Sequence, residues 1–289
     1  MLVDQAQLQA LTAVVDLGSF ERAATALSLT PSAVSQRIKA LETSAGQVLV
    51  RRTKPVEVTS AGETYLRLAR QLDVLVRDVL AGDESVGTTT IPIAINADSL
   101  ATWVLPALAR VQANVSFDLR REDEGHSADL LRSGAVMAAI TTDSTPVQGC
   151  RVTKLGTMRY HAMASRSFAA RWFPNGATST ALAAAPVVVF DRKDELQDRY
   201  LRRRSRARAN APRHHVPGSA DFASAVRLGL GWGMLPDQQL TLDGNDELVD
   251  VDPQRHLDVL LYWQQWKLPS PLLDDVAAAV RRAAAVHLT

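Results

Sequence analysis

Residues Ser19 to Leu41, SFERAATALSLTPSAVSQRIKAL, leave the chain few ways to fold locally. Ser19 is placed to N-cap a first helix, its hydroxyl accepting an amide proton that the helix leaves unpaired. Ala23, Ala24 and Leu27 give that helix a small apolar face, which a second helix can cross closely. Ser28-Leu29-Thr30 reads as the turn. Thr30 caps the second helix, and Pro31 takes its first position, where a missing N–H costs nothing. Val34, Ile38 and Leu41 recur at spacings of four and three, which buries one face. Ser32, Ser35, Gln36, Arg37 and Lys39 occupy the other. The pattern predicts a helix-turn-helix that offers short hydrogen-bonding side chains and cations to a DNA groove. A two-helix corner with a solvated polar face has the same periodicity, so the flanks must decide.

They favour DNA. The segment Arg51 to Gly62, RRTKPVEVTSAG, puts Arg51, Arg52 and Lys54 around a proline-bearing hairpin, a wing beside the second helix. Between Arg37 and Lys54 five cations face one acid, Glu42, so the positive field is local although the net charge is only +1. Ser32, Ser35 and Gln36 are expected at base edges, Arg37, Lys39, Arg52 and Lys54 at phosphates, and Thr30 and Arg51 are expected among the DNA contacts with them. With these residues in view, residues 1 to 82 resemble the winged helix-turn-helix of LysR-type transcriptional regulators. The resemblance rests on AAxxLxxTxSAVSxxIxxLE (Ala23 to Glu42) and on the VxxTxAG ending of the wing.

A chain of 289 residues holds about two or three domains. With 46% hydrophobic and 22% charged residues it can bury real cores. A single cysteine, Cys150, excludes an intramolecular disulfide and suits a reducing compartment. Neither an N-terminal leader pattern nor an apolar window of about 18 residues is present, so a cytoplasmic protein with no membrane partner is expected.

The first helix is expected over Asp4 to Asp16, with Asp4 and Gln7 at capping-box spacing. Ser60 to Glu63 reads as a second capping box, opening a long helix to about Ala81. Along it Tyr65, Leu68, Leu72, Leu75 and Val79 form a heptad seam. The family resemblance makes that seam a dimerisation helix; packing against its own domain is the alternative. Gly82 to Thr90 reads as a hinge.

From Ile91 strands alternate with helices: strands at 91–95, 115–122 and 135–141, a helix over 99–113 broken at Pro106, and a short helix over 127–133. A second set follows, with strands at 160–164, 186–190, 232–236 and 258–266 and helices at 219–228 and 272–286. Alternation of this kind predicts parallel sheets wrapped by helices. The fold class expected is α+β multidomain: winged helix-turn-helix (1–59), linker helix (60–82), hinge (83–90) and a two-lobed α/β effector domain (91–289). The last resembles periplasmic-binding-protein-like folds. Its first lobe is expected over about 91–160 and 266–289, and its second over about 161–265.

Ligands in such folds sit beyond the carboxyl ends of strands, near helix N-termini. Asp98 and Ser99 follow the first strand, and Ser99 with the first free amides suits a carboxylate; an ordinary N-cap is the alternative. Ser219 and Asp221 repeat that arrangement. Glu122, Asp123 and Glu124 end the second strand and attract an ammonium, unless they are a solvated turn. Thr142 ends the third strand, and Asp191 ends 186–190, where a buried carboxylate needs a cationic partner. The stretches INADSLATWVLPAL, EDE (122–124), GxMRYxAMAS and LYWQQW resemble the LysG/ArgP branch of the family, which controls export of basic amino acids.

That resemblance implies a transcriptional regulator responding to L-lysine or L-arginine. It also implies duplex DNA, RNA polymerase and further copies of the chain, as a dimer or tetramer, as partners. An amino-acid-binding receptor or enzyme with an accessory helical module is the competing reading. Enzymatic signals are weak: GLGWG (229–233) is not a dinucleotide pattern, and the six histidines form no HExxH, so neither cofactor nor metal is expected. The basic run Arg202 to Arg208 reads as a solvated face rather than a DNA contact.

Overall fold

The computed structural model describes residues 4–79, 88–112, 114–122, 127–204, 211–242 and 247–289. Helices α1 (Gln5–Leu17), α2 (Phe20–Ala26) and α3 (Pro31–Ala45) open the chain. Leu8, Leu11, Val14, Ala23, Val34, Ile38 and Leu41 form their shared core. Asp4 caps α1 by accepting the Ala6 amide at 3.0 Å. The Gln7 half of the expected capping box does not form: Gln7 Oε1 is buried without a partner among the described residues. Ser19 and Thr30 cap α2 and α3 as the sequence requires, accepting from the Arg22 and Ala33 amides.

The hairpin of β1 (Val50–Arg51) and β2 (Glu57–Val58) pairs Val50 with Val58 and Arg51 with Glu57. Glu42 at the end of α3 accepts the Leu49 amide at 2.9 Å, which ties wing to helix. Helix α4 (Ser60–Val79) follows at once. Its cap is Thr59, whose hydroxyl accepts the Gly62 amide at 3.0 Å, so the N-cap lies one residue before Ser60 and, with Gly62 at the third helical position, the reciprocal half of the expected capping box cannot form. Gly62 lets α4 start against the wing: a Cβ there would stand 2.0 Å from the Leu49 carbonyl oxygen.

The rest is a two-lobed α/β unit. Strand β3 (Thr89–Ile95) leads into helix α5 (Ala97–Ser99), a π-turn (Leu100–Val104) and α6 (Leu105–Leu108). The helix therefore begins before Ser99 and is widened at Leu100–Val104 instead of broken at Pro106. Strand β4 (Val115–Arg121), α7 (Ser127–Arg132) and β5 (Ala138–Thr141) complete a parallel set, with β3 between β4 and β5. Next come β6 (Cys150–Ser165), α8 (Arg166–Trp172), α9 (Ser179–Ala184), β7 (Val187–Val189), α10 (Leu196–Arg204) and β8 (Arg213–His215). The chain ends with α11 (Ser219–Arg227), β9 (Gly233–Pro236), α12 (Asp237–Leu242), β10 (Leu248–Asp250), β11 (Leu257–Trp266) and α13 (Pro271–His287).

One sheet of order β10-β6-β11-β5-β3-β4 runs through both lobes, and β9 also pairs with β6. The long strands β6 and β11 are antiparallel and join the halves. The second set is thus only partly parallel: β7 pairs β8 in parallel, whereas β9 and β10 run antiparallel to β6. Tyr262–Gln265 already pair with β5, so β11 returns to the first lobe earlier than residue 265. Gly231 and Gly233 serve close packing, against the Pro186 carbonyl and the Phe222 ring.

Candidate functional site

The polar face of α3 stands in solvent beside the wing. Ser32, Gln36 and Lys39 are exposed, as are Arg51, Arg52 and Lys54, while Arg37 is half-buried. Ser35 is half-buried and its hydroxyl accepts from Arg52 Nη2 at 3.1 Å. The same guanidinium lies 4.9 Å from the Phe20 ring centroid. Arg52 is therefore held in place by α2 and α3 together. Thr30, also exposed, spends its oxygen on the α3 cap and keeps its proton free to donate.

A cavity of about 370 Å³ opens between the lobes at the carboxyl end of β3. Asp98 stands in its wall. Asp98 Oδ1 accepts from Ser219 Oγ at 2.7 Å, and Oδ2 accepts from Tyr160 Oη at 2.8 Å. Ser219 belongs to α11 in the second lobe, and Tyr160 to the crossing strand β6. Burial pushes the Asp98 carboxyl above the usual carboxylate range; the two hydrogen bonds pull it back, and the charge on Asp194 adds to the rise.

Asp194 lies on the loop before α10, its carboxylate locked by the Phe190 and Leu196 amides, each at 2.9 Å. Glu122 and Glu195 also line the space, so four acids meet two bases, Lys193 and Arg199. Two side-chain oxygens of lining residues, Asn96 Oδ1 and Gln197 Oε1, are buried without a hydrogen-bond partner among the described residues. Such acceptors are suited to a ligand rich in N–H donors.

Of the effector residues expected from sequence, Asp98, Glu122 and Ser219 meet at this cavity. Ser99 does not: it lies inside the helix, fully buried, its hydroxyl unpartnered. Asp191 does not line the cavity; its Oδ1 accepts the Lys193 and Asp194 amides and shapes the turn that presents Asp194. Thr142 is half-buried, Asp221 is exposed beside Gly218, and neither lines the cavity. Asp123 and Glu124 lie outside the described residues. Tyr160, Asp194, Gln197 and Gln239 are cavity residues that sequence reasoning missed. Only the spacing of Asp191 and Asp194 in a polar loop hinted at one of them.

Two family models divide the chain. A bacterial regulatory helix-turn-helix model of the lysR family matches residues 5–63, and a LysR substrate binding domain model matches residues 86–285. The chain belongs to the LysR family. As a LysR regulator it is similar to the HTH-type transcriptional regulator LysG of Mycobacterium tuberculosis, 48% identical over 98% of this chain and 94% of that protein. The crystal structure of ArgP from Mycobacterium tuberculosis aligns with a TM-score of 0.87 at 47% identity, covering 99% of both chains. Full-length LysG from Corynebacterium glutamicum with bound effector Arg aligns with a TM-score of 0.77 at 39% identity, again over 99% of both chains. That LysG is described as a lysine export transcriptional regulatory protein. Membership of this family displaces the enzyme reading. No helix among the described residues is long and apolar enough to cross a membrane.

The basic run separates into different roles. Arg202 pairs with Glu195 on the surface, whereas Arg204 is buried against Asp252 and Tyr200. Arg203 is exposed, and residues 205–208 lie outside the described residues.

Proposed function

We propose that this LysR regulator senses a basic amino acid, L-arginine or L-lysine, in the cavity around Asp98 and adjusts transcription of an amino-acid exporter gene. The observation that carries the reading is the cluster of acids: Asp98, Glu122 and Asp194 line one cavity together with Glu195, which also pairs with Arg202, beside acceptors on Asn96 and Gln197 that have no partner among the described residues. One α-ammonium cannot use so many acceptors; a second cationic group on the side chain can. Lys193, Arg199 and the Ser219 end of α11 line the same cavity, on the side proposed to face the ligand carboxylate. Support from relatives is the bound Arg and the lysine-export description of the Corynebacterium glutamicum LysG.

In this reading residues 1–59 read DNA, the helix that starts at Ser60 pairs two copies and residues 91–289 hold the effector; most of the hinge expected at 83–90 lies outside the described residues. The working form is a dimer or tetramer on duplex DNA in the cytoplasm, contacting RNA polymerase. Ligand regulates by binding two arrangements unequally. The test is calorimetric titration of the full chain with arginine, lysine, leucine and glutamate. Tighter binding of leucine or glutamate than of either cation would sink the proposal.

A further inference from the structure

Helix α4 is shared between two cores. Leu66 and Ala69 belong to the core of the DNA-reading domain, whereas Val74, five residues on, is buried in the core of the effector unit. Two arginines fasten the same helix. Arg70 is buried and donates both to Asp16 at the end of α1 and to the Gly134 carbonyl in the turn after α7. Arg67 Nη2 donates to the Gln148 carbonyl at 2.8 Å, and its guanidinium lies 5.9 Å from the Trp266 ring. The approach is close enough to require glycine. A Cβ on Gly134 would stand 2.7 Å from Arg67 Cα.

The anchor points are not arbitrary loops. Gln148 lies two residues before β6, and Trp266 ends β11, the two strands that cross between the lobes. The Lys267 amide donates to the Gly149 carbonyl at 2.9 Å, so both roots are tied together under Arg67. A change in how the lobes sit must pass through β6 and β11, and α4 rests where those strands begin and end.

We propose that Arg67 and Arg70 form a latch between linker helix and effector domain, through which the state of the two crossing strands biases the placement of the DNA-reading domain. Arg70 carries the bias directly, because one guanidinium holds α1 and the effector turn at once. Buried charge makes the contact all-or-none: pulled from the Gly134 carbonyl without water, Arg70 loses a partner it cannot replace. Burial already lowers the Arg70 pKa, with the Asp16 charge opposing that shift.

The experiment uses the full chain and its Arg67→Ala variant. Hydrogen–deuterium exchange is read at 130–136 and 147–151. Operator affinity is read with and without saturating arginine, a readout that rests on the function proposed above. The latch predicts that Arg67→Ala raises exchange at both segments by about tenfold or more. It also predicts that arginine still binds by calorimetry, while its effect on operator affinity falls toward none.

Gly134→Ala should act in the same direction by wedging α4 away. Gly176→Ala is its control, since Gly176 also has a positive φ, +85°, but nothing within 4 Å of a new Cβ. Unchanged exchange in Arg67→Ala overturns the latch. So does an arginine effect on operator binding equal to that of the parent, or equal responses to Gly134→Ala and Gly176→Ala. Should the parent itself fail to bind arginine, the reading of the cavity falls, and the exchange measurement still decides the latch.

Discussion

Ser219 Oγ donates to Asp98 Oδ1 at 2.7 Å across the cleft, joining residues 121 positions apart in sequence. The bond links the N-terminal turn of α11 to α5, just beyond the carboxyl end of β3, and it fixes the Asp98 carboxyl group in the cavity wall. Replacing Asp98 with Asn keeps the shape and removes the charge. Binding of arginine or lysine should weaken by about 2–5 kcal/mol, the usual loss when one member of a buried charged pair is removed. Calorimetry on the full chain measures it.

The ligand-free Asp98→Asn protein should be at least as stable as the parent at pH values above the raised Asp98 pKa. The folded-state pKa of Asp98 is raised by burial. Its stabilising contribution is therefore complete below the ordinary carboxylate pKa and is lost as pH rises through the folded value. Above the raised pKa the ionised group is a cost that Asn does not carry. Thermal melts without ligand should show an equal or higher midpoint for Asp98→Asn, and no upward shift on adding arginine.

Affinity for a cationic ligand should fall on acidification, beginning above the usual carboxylate range. Below the raised pKa Asp98 is protonated, and binding must expel that proton. Titrations in two buffers of different ionisation enthalpy should reveal proton release in that window and none well above it. Tyr160→Phe removes one hydrogen bond to the carboxylate. It should move the window to higher pH and weaken binding by about 1.5–3 kcal/mol, the range for bonds to charged groups.

On DNA, Gln36→Ala should cost about 1–3 kcal/mol on the operator and little on random sequence, since Gln36 is exposed on α3. Lys54→Ala should weaken both equally and flatten the salt dependence. Shift assays at several salt concentrations separate the two. Equal losses for Gln36→Ala on operator and random DNA would remove it from base reading.

Leu68 and Leu72 are each 37% exposed and Val79 is 85% exposed along α4, while Leu66 and Val74 on its other side are buried. The outer stripe is free to meet a second copy. Leu72→Glu should reduce the mass seen by light scattering and weaken operator binding together, because an unpaired charge in an apolar seam is costly. An unchanged oligomer would exclude the seam.

Local chemistry alone determined much of this protein. Caps at Ser19 and Thr30, the 3.6-residue periodicity of Val34, Ile38 and Leu41, and the cations of the wing are short-range signals. They specify the helix-turn-helix whatever the rest of the chain does. The strand cores at 91–95, 187–189 and 257–266 were legible for the same reason, as runs of apolar and β-branched residues. Asp98 and Ser219 were legible as residues at the ends of strands and the starts of helices.

Tertiary structure decided the rest. Ser99 faces the core because the helix begins two residues earlier, and a shift of that size turns a side chain to another face. Tyr160 becomes a cavity residue only because β6 is long enough to cross between lobes, and no local pattern reports which sheet a strand will join. Asp194 enters through a loop shaped by Asp191. The hydrogen-bond partners of Arg67 and Arg70 lie 54 to 81 positions away in sequence. Contacts at such separations depend on how complete elements pack, which spacing along one chain does not encode.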